Sequence, residues 1–264
     1  MQLIRKKSHS HHENAKVLDK AEHVFPGALS NHDLTKKVKH ALDSYGYGKS
    51  TILATSLCCD EVNRELEKDL IKLYGDNFAM GGLAGFPFCG KTSFGAMAHH
   101  IPDGGSCLVV YGPHVGIDDG CNVGKINRRG REGSGACCGS ATAAAGYVKN
   151  VKSGKVEVSG PPEEPDDAQQ YWVGARLLPY ANQLAQAECE AAEVPLALFD
   201  SQDKLMKKIV SSMCGEVAGT GKIALLGGIQ INMPPGMTDL FLPKVFEIKN
   251  NKGETIADLL PLLK

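Results

Sequence analysis

Three stretches of the chain end in residue types that hold metals or carry protons. They are Cys58-Cys59-Asp60, Gly112-Pro113-His114 and Gly135-Ala136-Cys137-Cys138-Gly139. Thiolate sulfur and imidazole nitrogen are donors that zinc accepts in tetrahedral geometry. Three protein donors leave the fourth position open for chemistry. The competing reading is packing, because a free cysteine is often simply a small buried hydrophobe. The donors are remote, with 56 residues from Cys58 to His114 and 24 more to Cys138. Only a fold that brings three loops to one edge can unite them, so the pattern is less specific than paired CxxC knuckles. The Cys137-Cys138 pair falls at a predicted helix start, where the helix dipole and free N–H groups stabilise a thiolate.

Other candidates surround these. Asp60 and Arg64 are four apart, on one face of a helical turn. As a surface ion pair they contribute only a few tenths of a kcal/mol. Beside a metal, Arg64 would hold Asp60 away from the ion and leave it free to accept a hydrogen bond from a bound water. Gly85 to Thr92, GFPFCGKT, matches the phosphate-binding loop G-x-x-x-x-G-K-[ST] literally. Pro87 has no N–H to offer a phosphate, however, and Phe86 and Phe88 would crowd it. The next good strand ends in Gly-Pro-His rather than in a magnesium-holding Asp. Phe86 and Phe88, with Gly112, better suit an apolar wall for a small neutral substrate, the alternative being core packing. His99 and His100 are either proton shuttles or a solvated helix end.

These residues need elements to position them. Thr51 to Cys58 and Cys107 to Tyr111 read as buried strands, followed by Lys222 to Asn232 and Phe241 to Ile248. A short strand begins at Asn77. Helices are predicted over Leu34–Leu42 (capped by Asn31 or Asp33), after the cap Asp60, through Phe94–Ala98, over 136–148, as one long helix over 166–192, and over 204–214. Strands alternate with helices, which implies an α/β fold with a mainly parallel central sheet and helices on both faces. In such sheets chemistry gathers at the carboxyl ends of strands, where Cys58 and His114 lie.

Composition narrows the function classes. The chain has 264 residues, with 29 Lys and Arg against 30 Asp and Glu. The balance provides no basic field for nucleic acid. No window of about 18 apolar residues is present, so no membrane-spanning helix is expected. Nine cysteines, with two adjacent pairs, fit a reducing compartment. A soluble intracellular protein is expected, in cytoplasm or plastid. Residues 1–14 read as a flexible tail, whose His9, His11 and His12 bind metal only adventitiously, and residues 15–264 as a single domain.

Three segments together carry a family likeness. Gly81 to Gly90 (GGLAGFPFCG), Tyr111 to Asp118 (YGPHVGID) and Gly133 to Gly139 (GSGACCG) resemble the limiting-CO2-inducible B protein family. This is the Cys-Gly-His-rich domain linked to theta- and beta-type carbonic anhydrases, and the similarity runs from about residue 30 to the C-terminus. The resemblance implies a fold like beta carbonic anhydrase, a zinc ion, and a homodimer. It implies reversible hydration of CO2 to bicarbonate by zinc-bound hydroxide, in a CO2-concentrating mechanism. Carried over, Cys58 and His114 match zinc ligands and either Cys137 or Cys138 the third. Cys138 is preferred because Gly139 follows it, and Cys121 is a weaker candidate. Asp60 matches the aspartate of an Asp–Arg dyad, with Arg64 as partner. The beta enzymes carry C-x-D-x-R and H-x-x-C, whereas here the arginine lies two positions later and residue 117 is Ile. The alternatives are a catalytically silent zinc-binding subunit of a CO2/bicarbonate-handling complex, and a P-loop nucleotide binder.

Overall fold

The computed structural model describes residues 11–264, with side chains from residue 13 onward. The elements run α1 (His11–Val24), β1 (Leu29–Ser30), α2 (Asn31–Asp43), β2 (Thr51–Ser56), α3 (Arg64–Tyr74), β3 (Asn77–Ala79), α4 (Gly90–His99), β4 (Ser106–Tyr111) and β5 (His114–Gly116). They continue with β6 (Lys125–Asn127), β7 (Ser134–Ala136), α5 (Gly139–Lys152), α6 (Ala168–Leu177), α7 (Ala181–Gln186), α8 (Glu190–Met213), β8 (Lys222–Asn232), β9 (Leu240–Asn250) and β10 (Thr255–Asp258). The main sheet has the order β1-β9-β8-β4-β2-β3, and its centre, β8-β4-β2-β3, is parallel. β9 closes one side antiparallel to β8, with β1 and β10 antiparallel on β9. β5 continues the line of β4 and pairs parallel with the far end of β8. The molecule is therefore α/β, with a mostly parallel central sheet flanked by helices.

Period-two alternation in β4 divides the core. Cys107, Val109 and Tyr111 pack on one face with residues of α1, α4 and α8. Leu108 and Val110 pack on the other with residues of α2 and α3. All six residues of β4 are buried, as a central parallel strand covered on both faces requires. A third apolar cluster joins Cys58, Phe86 and Cys138 to residues of α5, α6, α7 and the start of α8.

Several expected boundaries are corrected. Helix α1 begins at His11, inside the stretch expected to be a tail, because Val17, Ala21 and Phe25 recur every four residues and are buried. Residues 1–10, including His9, and the side chains of His11 and His12 lie outside the described residues. The cap of α2 is Ser30, whose side chain accepts from the Asp33 N–H. The long helix expected over 166–192 is broken at a 3-10 turn containing Pro179. The helix expected at 204 instead starts at Glu190 and runs through Pro195, near its beginning. Among the described residues no helix is long and apolar enough to cross a membrane.

The strand ends meet through glycine. The Gly112 N–H donates to the Ser56 carbonyl, and the Ser56 hydroxyl donates to the Gly85 carbonyl. A Cβ on Gly112, whose φ is +151°, would lie 1.7 Å from the Gly228 carbonyl oxygen at the bulge in β8. A Cβ on Gly85 would lie 2.1 Å from the Gly112 oxygen. These backbone approaches seat the loop after β3, which carries Gly85, against the loop after β4, and tie both to the end of β2. Gly112→Ala is expected to cost about 3 kcal/mol, as overpacking against backbone does. A lower urea midpoint at unchanged slope would show it.

Candidate metal centre

Each predicted ligand is placed by the end of an element. Cys58 comes just after β2, His114 opens β5 after the Gly112-Pro113 break, and Cys138 is the residue immediately before α5. The structure brings them together. Cys58 Sγ, a His114 ring nitrogen and Cys138 Sγ all lie within 4.8 Å of one another, and all three residues are buried. The two sulfurs are 3.8 Å apart.

The electrostatics follow from burial and helix position. Cys138 is held below the ordinary thiol range, first by a hydrogen bond from Cys58 and then by the N–H groups of Ala141 and Ser140 at the start of α5. Donating that hydrogen bond, together with burial, pushes Cys58 up to about 12. Burial disfavours a charged His114, but the sulfurs of Cys137 and Cys58 outweigh it and raise the imidazole to about 10. The cluster is electron-rich and attracts positive charge.

The donors fit a zinc ion on a specific observation. His114 Nδ1 lies 2.8 Å from Asn232 Oδ1, while its Nε2 is buried and has no hydrogen-bond partner among the described residues. An orphaned imidazole nitrogen beside two thiol sulfurs is a donor set that could hold a zinc ion. The twin cysteines differ in position. Cys137 Sγ lies 3.5 Å from Nδ1, at the edge of the ring that Asn232 occupies, and its S–H points to Asn232 Oδ1 at 3.6 Å. The peptide bond joining the two cysteines is cis. A second grouping, Asp60, His114 and Cys137, also lies within 4.8 Å, so a carboxylate borders the same centre.

Asp60 does not pair with Arg64, contrary to expectation. Both of its oxygens accept from Arg128, each at 2.9 Å, and its Oδ2 lies 4.0 Å from His114 Nε2. Burial alone would push this carboxyl up. Hydrogen bonds from Arg128 and with Glu61, and the charges of His114 and Arg128, hold it well below the usual carboxylate range. Arg64 instead bonds Glu67 and the Cys58 carbonyl. The physical reason is local. Asp60 caps the 3-10 turn Glu61–Asn63, and Arg64 comes after that turn, so the two are not on one α-helical face. Arg128 reaches Asp60 from the hairpin of β6 and β7, and it also bonds Glu61. In sequence Arg128 stands only as part of a short basic cluster. Its position in the Gly-rich loop shortly before Cys137 is the one signal that could have found it.

The other candidates are elsewhere. Phe86 is only 1% exposed and packs in the third apolar cluster with Phe88 beside it, ring centroids 5.6 Å apart. A cavity of about 560 Å³ opens beside the site, and neither phenylalanine lines it, nor does Gly112. Its apolar wall comes from Val115, Val123, Ala141, Ala145 and Val194, next to His114 and Cys138. In the Gly85–Thr92 segment the N–H groups of Gly85, Phe86, Phe88 and Gly90 donate to nearby carbonyls within residues 82–87, so these four are not turned to a phosphate. His99 and His100 end α4, where they meet Glu216 and Phe78 rather than the cysteines. Cys121 sits at a turn, with φ +62°, outside both ligand groupings. Asn232 lies at the carboxyl end of β8, the kind of place where chemistry gathers, but its residue type gives no signal of a metal centre.

Comparison with known proteins agrees with this geometry. The family model of limiting CO2-inducible proteins B/C beta carbonic anhydrases matches residues 28–250. The crystal structure of PtLCIB4, a homolog of the limiting CO2-inducible protein LCIB, is 46% identical, with a TM-score of 0.87. That match covers 92% of this chain and 100% of PtLCIB4. The crystal structure of LCIB itself shares the fold at 19% identity, with a TM-score of 0.68, covering 95% of this chain and 100% of that one. Among curated proteins no match is found. The chain belongs to the limiting CO2-inducible protein B/C family of beta carbonic anhydrases.

Proposed function

We propose that the chain is a zinc-dependent carbonic anhydrase that interconverts CO2 and bicarbonate, and that it works as a homodimer. Cys58, His114 and Cys138 hold the zinc. The observation that carries this is the convergence of two sulfurs on an imidazole whose Nε2 has no other partner. Zinc in such a site supplies Lewis-acid acidification of water near neutral pH.

The chain's own residues do the rest. Asp60, fixed by two hydrogen bonds to Arg128, stays ionised and presents an acceptor oxygen 4.0 Å from His114 Nε2. That gap is too long for a direct hydrogen bond, and it leaves Asp60 able to orient a small molecule through one. The bidentate clamp stops the carboxylate from turning inward to become a ligand itself. The wall of Val115, Val123, Ala141, Ala145 and Val194 offers an apolar, uncharged approach suited to CO2. Lys125 and Lys149, also on the cavity lining, offer charges suited to bicarbonate.

Elemental analysis and stopped-flow CO2 hydration of the purified full chain test this. One zinc per chain with turnover well above the uncatalysed rate is expected. One zinc with only the background rate would favour a silent zinc-binding subunit of a bicarbonate-handling complex. No zinc would reject both.

A further inference from the structure

The amide of Asn232 is fixed in orientation by its surroundings. Its Nδ2 lies 2.9 Å from Asp239 Oδ2 and 3.1 Å from the Val62 carbonyl oxygen. A carboxylate and a carbonyl only accept, so the NH2 group must face them. Oδ1 is thereby turned to His114 Nδ1, 2.8 Å away. Because Oδ1 also only accepts, Nδ1 must carry the proton. In the neutral imidazole the lone pair then resides on Nε2, the nitrogen that has no partner.

Asp239 is pinned in turn. Its Oδ1 accepts from the Met233 N–H at 2.7 Å, which closes the loop between β8 and β9, and its carbonyl accepts from the Asn31 N–H at 3.0 Å. His114, Asn232 and Asp239 are 2%, 1% and 5% exposed, so solvent has little access to replace a lost partner.

We infer that Asp239 and Asn232 are positioning residues of the metal centre, fixing the tautomer and ring orientation of His114 so that Nε2 is presented to a divalent cation. The inference rests on the zinc reading above and assigns to residues outside the ligand set the job of aiming one ligand. Outer partners of metal-bound histidines typically contribute a factor of about 10–100 in affinity.

The Asn/Asp pair allows a reversal test. In Asp239→Asn, whichever way the new amide lies, an NH2 group faces a donor, either Met233 N–H or Asn232 Nδ2. Turning Asn232 over relieves the second clash but points an NH2 group at His114. Asn232→Asp alone keeps an acceptor oxygen on His114 but sets its other oxygen against Asp239 Oδ2 and the Val62 carbonyl, both acceptors. The double variant Asn232→Asp/Asp239→Asn restores a donor–acceptor pair with its polarity exchanged, at unchanged formal charge, and gives up only the bond to the Val62 carbonyl.

Zinc affinity is measured by competition with a chromophoric chelator, on the full chain. The Nδ1–H proton of His114 is followed by NMR in the zinc-loaded proteins. Asn232→Leu and Asp239→Asn are expected to bind zinc about 10–100-fold more weakly and to lose or shift the Nδ1–H resonance. The double variant is expected to stay within roughly threefold of the wild type and to keep the resonance. A merely structural role would let affinity follow the melting temperature in every variant. Should Asn232→Leu not fold, Asp239→Asn against the double variant decides. Asp239→Asn at wild-type affinity, or a double variant as weak as the single one, overturns the inference. A wild type without zinc, or one whose zinc survives His114→Ala, overturns the zinc reading and the inference with it. The state of the Asn232 variants then has no bearing.

Discussion

Replacing His114 with Ala is expected to abolish stoichiometric zinc and to drop CO2 hydration to the uncatalysed rate, a loss of at least about a thousandfold. The residue supplies the one neutral donor of the set. Cys58→Ser and Cys138→Ser are expected to behave alike, because a hydroxyl does not ionise as a thiol does and binds zinc weakly. Cys137→Ser is the discriminating control. Cys137 lies at the Nδ1 edge of His114 with its S–H aimed at Asn232 Oδ1, a contact a serine hydroxyl can also make. It should keep one zinc per chain and most of its turnover. Zinc per chain and stopped-flow rates for the four variants check this. A Cys137→Ser protein without zinc, beside a Cys138→Ser protein that keeps it, would exchange the roles of the two cysteines. The affinity is also expected to weaken steadily as pH falls. Each thiol must release its proton to bind, so metal and protons compete for the same atoms.

The features legible in the sequence were those that depend on local pattern. The apolar runs of β2, β4 and β8 and the intervening helices are visible as runs and periods, and their alternation dictates the parallel centre of the sheet. Parallel strands then bring the loops after β2 and β4 to one edge, so Cys58 and His114 could be paired from 56 residues apart. The Cys137-Cys138 pair was legible because a helix start carries its own signals, whereas the preference for Cys138 came from the resemblance, in which a glycine follows that ligand. Arg128 was not, because its reach depends on the β6–β7 hairpin, whose three-residue strands leave little trace in hydrophobic pattern. Its competitor Arg64 had the right spacing for an α-helix, but the backbone there is a 3-10 turn. Asn232 and Asp239 were hidden for a different reason. Their significance lies in which end of an amide faces which neighbour, and no spacing rule encodes that. Phe86 and Phe88 were misplaced because an aromatic residue near a site looks the same in sequence whether it faces the cavity or the core.

Arg128→Ala is expected to separate zinc binding from turnover. Arg128 touches no ligand atom among the described contacts, so one zinc per chain should remain. It is, however, the residue that holds both oxygens of Asp60. Without it the carboxylate is free to rotate toward the cluster, where Asp60, His114 and Cys137 already lie within 4.8 Å. A carboxylate that turns inward would occupy the position substrate chemistry needs. CO2 hydration should therefore fall about a hundredfold or more, a loss typical of removing a positioned electrostatic partner. Arg64→Ala, which breaks only the contacts with Glu67 and the Cys58 carbonyl, should stay within about tenfold of the wild type. The two variants have the same charge, so a general field effect would lower both alike. Stability gives a second readout with a definite sign. The side chains of Asp60 and Arg128 are 13% and 19% exposed. Removing one partner from a fully buried pair costs about 3–5 kcal/mol, and partial solvation here reduces that to about 1–3. Because the folded state depresses the Asp60 pKa, its contribution is complete above the unfolded value of about 4 and is lost as pH falls through the folded one. The gap between wild type and Arg128→Ala should thus be widest at neutral pH and shrink in acid. A gap that stayed constant into strong acid would mean that Arg128 stabilises the hairpin by packing alone, and that the restraint on Asp60 comes from elsewhere.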